Sequence, residues 1–259
     1  MIDEVMMLRH GRTQYNLEHR LQGQIDVPLD IVGQWQVDQT GFALASRYYW
    51  AKVNRLAEHP EAIAQPGPDA AERTDTRQFE EAPAAGRRMV VMTSDLFRAQ
   101  QTAHAFADIL GLPVTCDQRL RERSFGDWEG IPVEELAQRY PEDYRSWAEF
   151  RGGELKYGAE PKEEVGRRGV EALNDWAFRA GSDTDLYVFS HGAWISQTLQ
   201  TLLGMADAHG DFADILSMRN AHWVRLIPLE IGSTLRWRLM DYNHGPAIAD
   251  SEEWEHPSL

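Results

Sequence analysis

Apolar residues in this chain fall into short unbroken runs separated by longer stretches of helical period. Val5-Met6-Met7-Leu8 is one such run, long enough for a buried strand, and it stops abruptly at Arg9-His10-Gly11. Residues 89–94 form a second run, Pro113 to Cys116 a shorter third, and residues 185–190 a fourth, which again stops at a histidine and a glycine, His191-Gly192. Between the runs the pattern predicts helices. One starts at Asp30 and runs to about Tyr49 through Gln34, Val37, Phe42, Leu44 and Ala45. Another opens at Ser94-Asp95, either of which can cap it, marks its inner side with Phe97, Thr102, Phe106, Ile109 and Leu110, and closes at Gly111. Val133 to Tyr140 and Tyr144 to Phe150 read as short helices. Glu163 to Ala180 reads as a long one, with Val165, Val170, Leu173, Trp176 and Ala177 inward, and Trp194 to Leu203 as the last. Trp223 to Pro228 and Leu235 to Leu239 alternate like the strands of a hairpin at a sheet edge. Strand and helix alternate along the chain, which predicts an α/β fold, a three-layer α/β/α sandwich on a mostly parallel central sheet.

Two stretches break the pattern. Thr13 to Leu29 has no helical period and carries Gly, Asp and Pro, so it reads as an extended loop over the end of the first strand. Residues 51–88 hold Pro60, Pro66, Pro68 and Pro83, with many Ala and Glu and almost no large apolar residue after Ile63. That is the composition of a mobile insertion, with its first part extending the preceding helix and no catalytic role. With this insertion included, residues 1–259 are expected to form a single domain.

Composition narrows the classes. A hydrophobic content of 42% with nine tryptophans belongs to a folded globular protein. No apolar run approaches the ~20 residues that span a bilayer. The opening Met-Ile-Asp-Glu has no basic region ahead of its apolar run, which predicts no secretory signal. Cys116 is the single cysteine, so there is no internal disulfide and no zinc framework, and the cytoplasm is the expected compartment. The net charge of −15 argues against nucleic acid and against an anionic membrane. An anionic small substrate then requires the arginines to be gathered in one cleft, with the acids elsewhere.

The candidate chemistry lies at the strand ends. A strand that stops at an imidazole between guanidinium groups delivers a nucleophile or base, with cations, to the edge of the sheet where α/β proteins bind ligands. Arginines there point to an anion, most simply a phosphate. A lone Arg-His-Gly is weak, but the second strand-end His-Gly suggests that His10 and His191 meet over one site. Arg98 falls in the first turn of a helix, where acids are normally favoured, so it is either a surface charge or the partner of an anion. Glu122 is either a salt-bridge partner of Arg121 or Arg123, or a working carboxyl. In the loop, Asn16 and Gln22 either bond phosphate oxygens or substrate hydroxyls or are ordinary loop polarity, and Arg20 is either a ligand or a solvated charge. A zinc site on His10 and His191 lacks a third ligand with recognisable spacing.

Taken together, Arg9-His10-Gly11-Arg12-Thr13 with Asn16, Ser94-Asp95-Leu96 with Arg98, Leu120-Arg121-Glu122, Phe125-Gly126-Asp127-Trp128-Glu129-Gly130 and Ser190-His191-Gly192 resemble the histidine phosphatase superfamily, which includes the cofactor-dependent phosphoglycerate mutases. The resemblance covers nearly the whole chain apart from residues 51–88. It implies that His10 is the nucleophile that becomes phosphohistidine, that Arg9, Arg98 and His191 hold the phosphoryl oxygens, and that Glu122 donates the proton. It implies that Asn16 belongs to the phosphate pocket and that Gln22 and Gly23 meet the rest of the substrate, with Thr13 beside them. Phe-Gly-Asp-Trp-Glu-Gly after Leu-Arg-Glu resembles the phosphatase branch, whereas mutases usually carry Asn-Glu-Arg-His-Tyr-Gly, and here Ser124 and Phe125 stand in place of His-Tyr. Gln22-Gly23-Gln24, Asn220-Ala221-His222-Trp223 and Arg236-Trp237-Arg238-Leu239 with Asn243 resemble actinobacterial glucosyl-3-phosphoglycerate phosphatases. On that resemblance Arg20 or Arg12 would meet the substrate carboxylate. Arg12 departs from the commoner Glu or Gln and would add positive charge at the pocket rim.

The expected activity is therefore a metal-independent phosphomonoesterase acting on a small phosphorylated metabolite, with no cofactor. A mutase moving phosphate between hydroxyls and an inactive phosphate-binding domain are the alternatives. Beyond the small phosphorylated substrate, a homodimer is the only protein partner entertained.

Overall fold

The computed structural model describes residues 2–50, 88–182, 184–208, 210–231 and 234–259. In chain order the elements are strand β1 (Glu4–Arg9), a single helical turn α1 (Gln14–Leu17), helix α2 (Ile31–Leu44), continued by a π-helical segment (Ala45–Trp50), β2 (Arg88–Thr93) and α3 (Phe97–Leu110). There follow β3 (Val114–Cys116), α4 (Val133–Arg139), α5 (Pro141–Ala148), α6 (Lys162–Ala180), β4 (Thr184–Ser190), α7 (Gly192–Leu202), α8 (Met205–Ala208), β5 (Trp223–Ile231) and β6 (Thr234–His244). The six strands form one sheet in the order β3-β2-β4-β1-β5-β6. The first four strands of the chain are parallel, and β5 joins β1 antiparallel with β6 as its hairpin partner at the edge.

The unbroken apolar run of β1 follows from its central place. Val5 and Met7 pack with Val165, Leu173, Trp194 and Leu199 of α6 and α7 on one face. Met6 and Leu8 pack with Leu44, Ala103 and Phe106 of α2 and α3 on the other. A strand covered on both sides has no use for a polar residue at alternate positions. The result is the expected three-layer sandwich.

Several local expectations need correction. The buried face of α2 is Gly33, Gln36, Val37, Thr40, Gly41 and Leu44, and Phe42, one of the residues that traced the helix in the sequence, is exposed. The contact with α3 is made by small residues: a Cβ at Gly41 would lie 2.3 Å from the Ala105 carbonyl. A reading that follows large side chains misses such a face. In α3 neither Ser94 nor Asp95 is the cap. Leu96 occupies that position, and the Phe97 N–H donates to Asp26 Oδ1 at 2.7 Å, a cap supplied from the loop of another element. The buried stripe of α3 includes Arg98, Ala99 and Thr102, which turns Phe97 and Ile109 out to solvent. The loop from Thr13 to Leu29 is not wholly extended, because Thr13 and Asn16 cap each other reciprocally around α1. One turn is too short to show a period. The insertion expected at 51–88 lies outside the described residues except for Arg88, which opens β2.

The turn after β1 is held by a close backbone approach. A Cβ at Gly11 would sit 2.5 Å from the Gly33 carbonyl oxygen, and one at Gly33 only 1.9 Å from the Arg12 carbonyl oxygen. The first turn of α2 is thus pressed against the strand end that carries His10. Gly33→Ala is expected to lower unfolding free energy by about 1–3 kcal/mol, the range for overpacking. Gly210→Ala, whose Cβ would meet nothing nearer than 4.0 Å, should change it by less than about 0.5 kcal/mol. Urea denaturation of the two variants checks this, and equal stability would disprove the contact.

Candidate active site

Strand pairing alone brings the two histidines together. β1 and β4 are neighbours, with Arg9 opposite Ser190 in the register, so His10 and His191 are the next residues of adjacent parallel strands. The His10 N–H donates to the Ser190 carbonyl at 3.0 Å, which carries the pairing one step past the strand end. The ring centroids lie 5.2 Å apart, close to the ~4.8 Å spacing of neighbouring strands. His10 Nδ1 is 2.7 Å from the Gly11 carbonyl oxygen. A carbonyl only accepts, so Nδ1 carries the hydrogen and Nε2 presents its lone pair to the cavity.

The cations come from the end of β1 itself and from the start of α3. Arg98, second residue of α3, is fully buried and donates to the Ile25 and Gly23 carbonyls, each at 2.8 Å. Arg9 donates to the Met218 carbonyl and reaches Ser217 Oγ at 3.5 Å. Thr102 ties this frame together: its hydroxyl donates to the Arg98 carbonyl at 2.7 Å and accepts from the Gly11 N–H at 3.2 Å. Arg9 Nε, Arg98 Nε and both ring nitrogens of His191 are buried without a partner among the described residues. Buried donors in this state fit an oxyanion with several acceptor oxygens. Burial and then the Arg98 and Arg9 charges hold His10 well below the ordinary imidazole range. Burial, Arg98 and His10 do the same to His191. Burial pushes the Arg98 guanidinium down to about 10, which leaves it cationic at neutral pH.

Glu122 forms neither of the salt bridges open to it. Arg121 pairs with Asp95, and Arg123 with Glu154 at 2.7 Å, both ends of the latter buried. The Glu122 carboxylate instead accepts backbone N–H groups from Trp194 (2.9 Å), Ala193 (3.1 Å) and Arg123 (2.8 Å). It therefore sits at the N-terminus of α7, next to His191. Arg168 of α6 fixes the segment behind it, donating to the carbonyls of Arg119 and Arg121 (2.7 Å each) and of Glu122 (3.1 Å).

A cavity of about 580 Å³ joins these groups. Arg9, His10, Arg98 and Glu122 line it, and Asn16, Arg20, Gln22 and Gly23 come to it from the loop after β1. Asn16 Oδ1 accepts from the Thr13 N–H and from Asn220 Nδ2, which leaves its own Nδ2 for the cavity. Gly23 has φ 51°, and a Cβ there would fall 2.0 Å from Glu129 Oε1, so the position serves through its backbone, as the acceptor for Arg98. Arg20 is paired with Glu18 and with the Gly130 carbonyl. Two of the expected substrate ligands are elsewhere. Arg12 turns away to Asp30 (2.8 Å) and the Glu255 carbonyl, so it adds no charge at the rim. Thr13 is buried, with its hydroxyl donating to Gln22 Oε1 at 2.9 Å. Both lie three or four residues beyond the strand end, after the chain has turned against α2. The gathering of cations required by the net charge is present: five cationic side chains line the cavity, Arg9, Arg20, Arg98, Arg123 and Lys162, against one carboxylate, Glu122. Among the described residues no group of three or more His, Cys, Asp or Glu is placed to hold a metal ion. Ser217, Met218 and Arg168 carry no motif of their own, whereas Thr102 belongs to Gln101-Thr102-Ala103, part of the family resemblance. Thr102 lay on the predicted inner side of its helix, and nothing in the sequence marks the other three.

Imidazoles at two strand ends, with buried guanidinium groups beside them, mark the polar site of this α/β fold. The chain belongs to the histidine phosphatase superfamily (branch 1), whose family model matches residues 5–66 and 69–238. It is 28% identical to a glucosyl-3-phosphoglycerate phosphatase of Mycolicibacterium vanbaalenii, over 96% of this chain and 98% of the relative. It is 31% identical to a probable phosphoglycerate mutase of Yersinia enterocolitica, over 78% of this chain and 75% of that protein. Among solved structures, a mycobacterial glucosyl-3-phosphoglycerate phosphatase complexed with VO3 has the same fold, with TM-score 0.69 and 24% identity over 94% of this chain and 100% of that one.

The lowered histidines make stability depend on pH in a definite direction. Below about 6.5 the unfolded chain protonates His10 and His191 while the folded protein does not, so stability falls as pH falls through that value. Each such histidine contributes a slope of about 1.4 kcal/mol per pH unit. His222, also lowered by burial, adds a background common to all variants. Urea denaturation between pH 7.5 and 5.5 should show this loss, and His10→Asn should reduce the slope by about one proton. An unchanged slope in that variant would mean that His10 is not held neutral.

Proposed function

We propose that this chain is a phosphomonoesterase working through a phosphohistidine, with its phosphate site between His10, His191, Arg9 and Arg98. The observation that supports it most is the facing of two imidazoles, 5.2 Å apart, beside the Arg9 and Arg98 Nε atoms, which have no partner among the described residues. His10 Nε2 attacks phosphorus in line with the leaving oxygen, and the Nδ1 hydrogen bond to Gly11 disperses the charge that develops on the ring. Arg9, Arg98 and His191 meet the equatorial oxygens, where charge is spread in the transition state. The P–O bond breaks, and Glu122, which must enter this step as the neutral acid, gives its proton to the departing alkoxide. The resulting carboxylate takes a proton from water, which attacks the phosphohistidine, and the P–N bond breaks to release inorganic phosphate. The substrate we infer is a glycosylated phosphoglycerate, the class named by the mycobacterial relatives. The cavity supports this, since it continues past the phosphate end to Tyr144, Trp147 and Phe212.

His10→Ala is expected to abolish phosphate release and acid-labile labelling by a phosphorylated substrate. Turnover near the original rate would rule out the mechanism. Glu122→Gln should slow phosphoglycerate esters by about 10²–10⁴-fold and p-nitrophenyl phosphate far less, because p-nitrophenolate leaves without a proton. Equal slowing of the two counts against the acid role. Isomer exchange of phosphoglycerate, primed by a bisphosphate and faster than hydrolysis, would favour the mutase alternative.

A further inference from the structure

The cavity has a second cationic end. Lys162, one of only three lysines in the chain, is half-buried in its wall. Its ammonium donates to the Asp211 carbonyl at 2.8 Å and lies 4.5 Å from the centroid of the Phe150 ring. The other cations away from the phosphate end are neutralised locally, Arg20 by Glu18 and Arg123 by Glu154. Lys162 has no ion pair among the described residues. Arg123, Glu154, Asp211 and Glu163 face it at longer range, and burial followed by the Arg123 charge lowers its pKa. Lys162 is moreover the first residue of α6, a 19-residue helix. A cation there opposes the helix dipole, which favours acids in the first turn. A half-buried, unpaired ammonium at that position is costly unless an anion reaches it.

We propose that Lys162 is a specificity residue that binds a carboxylate of the substrate, so that the cavity selects phosphomonoesters carrying a second anionic group. This rests on the phosphatase reading and extends it. The ammonium has two N–H donors left after the Asp211 carbonyl, which suits the two oxygens of a carboxylate. The wall between the two cationic ends is aromatic: Phe125, Tyr144 and Trp147 line it, and Trp147 is packed on the buried Trp128 ring at 5.9 Å. A rigid apolar wall between two anion sites suits a sugar or a short carbon chain lying lengthwise.

The test uses pairs that differ in one carboxylate: 3-phosphoglycerate against glycerol 3-phosphate, and 6-phosphogluconate against sorbitol 6-phosphate. The native protein should prefer the acid in at least one pair. Lys162→Met should cut that preference by about thirtyfold, mainly through KM, as expected for loss of a charge-assisted hydrogen bond. Lys162→Arg should retain most of it, and Lys162→Gln replaces the methionine variant should that fail to fold. The same pairs are titrated calorimetrically into His10→Ala protein with and without the Lys162 change. Binding then reports on the carboxylate site even if no phosphate is released, an outcome that would overturn the phosphatase reading alone. No preference for the acid in either pair, or a preference that survives Lys162→Met, overturns the role of Lys162.

Discussion

Four nitrogen-rich side chains are packed at the end of one sheet, and their mutual repulsion is the constraint that the surrounding structure answers. Arg9, His10, Arg98 and His191 come from two strand ends and one helix start, yet they share one small volume. Bringing four cations there would be prohibitive in a medium of low dielectric. The fold reduces the problem in two ways. It removes protons from both imidazoles by burial, and it spreads the guanidinium charge over backbone carbonyls of Gly23, Ile25 and Met218 rather than over carboxylates. Carbonyl acceptors orient an arginine without neutralising it. What remains is a pocket with net positive character and a single acid, Glu122, pinned at its side by backbone amides. Buried guanidinium groups held without carboxylate partners cost stability.

That arrangement explains which parts of the molecule were legible in the sequence. The strands and their neighbouring helices announce themselves through apolar runs, because β1 and β4 are covered on both faces. The histidines could be read because each follows such a run directly. Arg98 could be read because a base in a first helical turn is out of place. Glu122 stood between two arginines, and only the structure shows that Asp95 and Glu154 have claimed them. Arg12 and Thr13 were misplaced because adjacency in sequence does not survive the turn that Gly11 and Gly33 enforce. Arg168 acts by bonding the carbonyls of a distant segment, and Thr102 by accepting the Gly11 N–H, and no local pattern encodes a backbone group that arrives from elsewhere. The glycine-lined face of α2 was misread for a related reason, since periodicity counts large side chains and the contact there is between backbones.

The balance of charge shows the same separation between global and local terms. A chain of net charge −15 would be expected to repel a phosphate ester. The acids, however, are mostly on the surface, where ions screen them beyond about 8 Å at physiological salt. Many are also paired, as Glu18 is with Arg20, Glu164 with Arg167 and Asp175 with Arg119. The unpaired cations line a cavity with apolar walls, where screening is weak and each is felt at close range. Arg9, Arg98 and Lys162 are the lining cations with no ion pair among the described residues, so the charge inside the cavity is opposite in sign to that of the exterior.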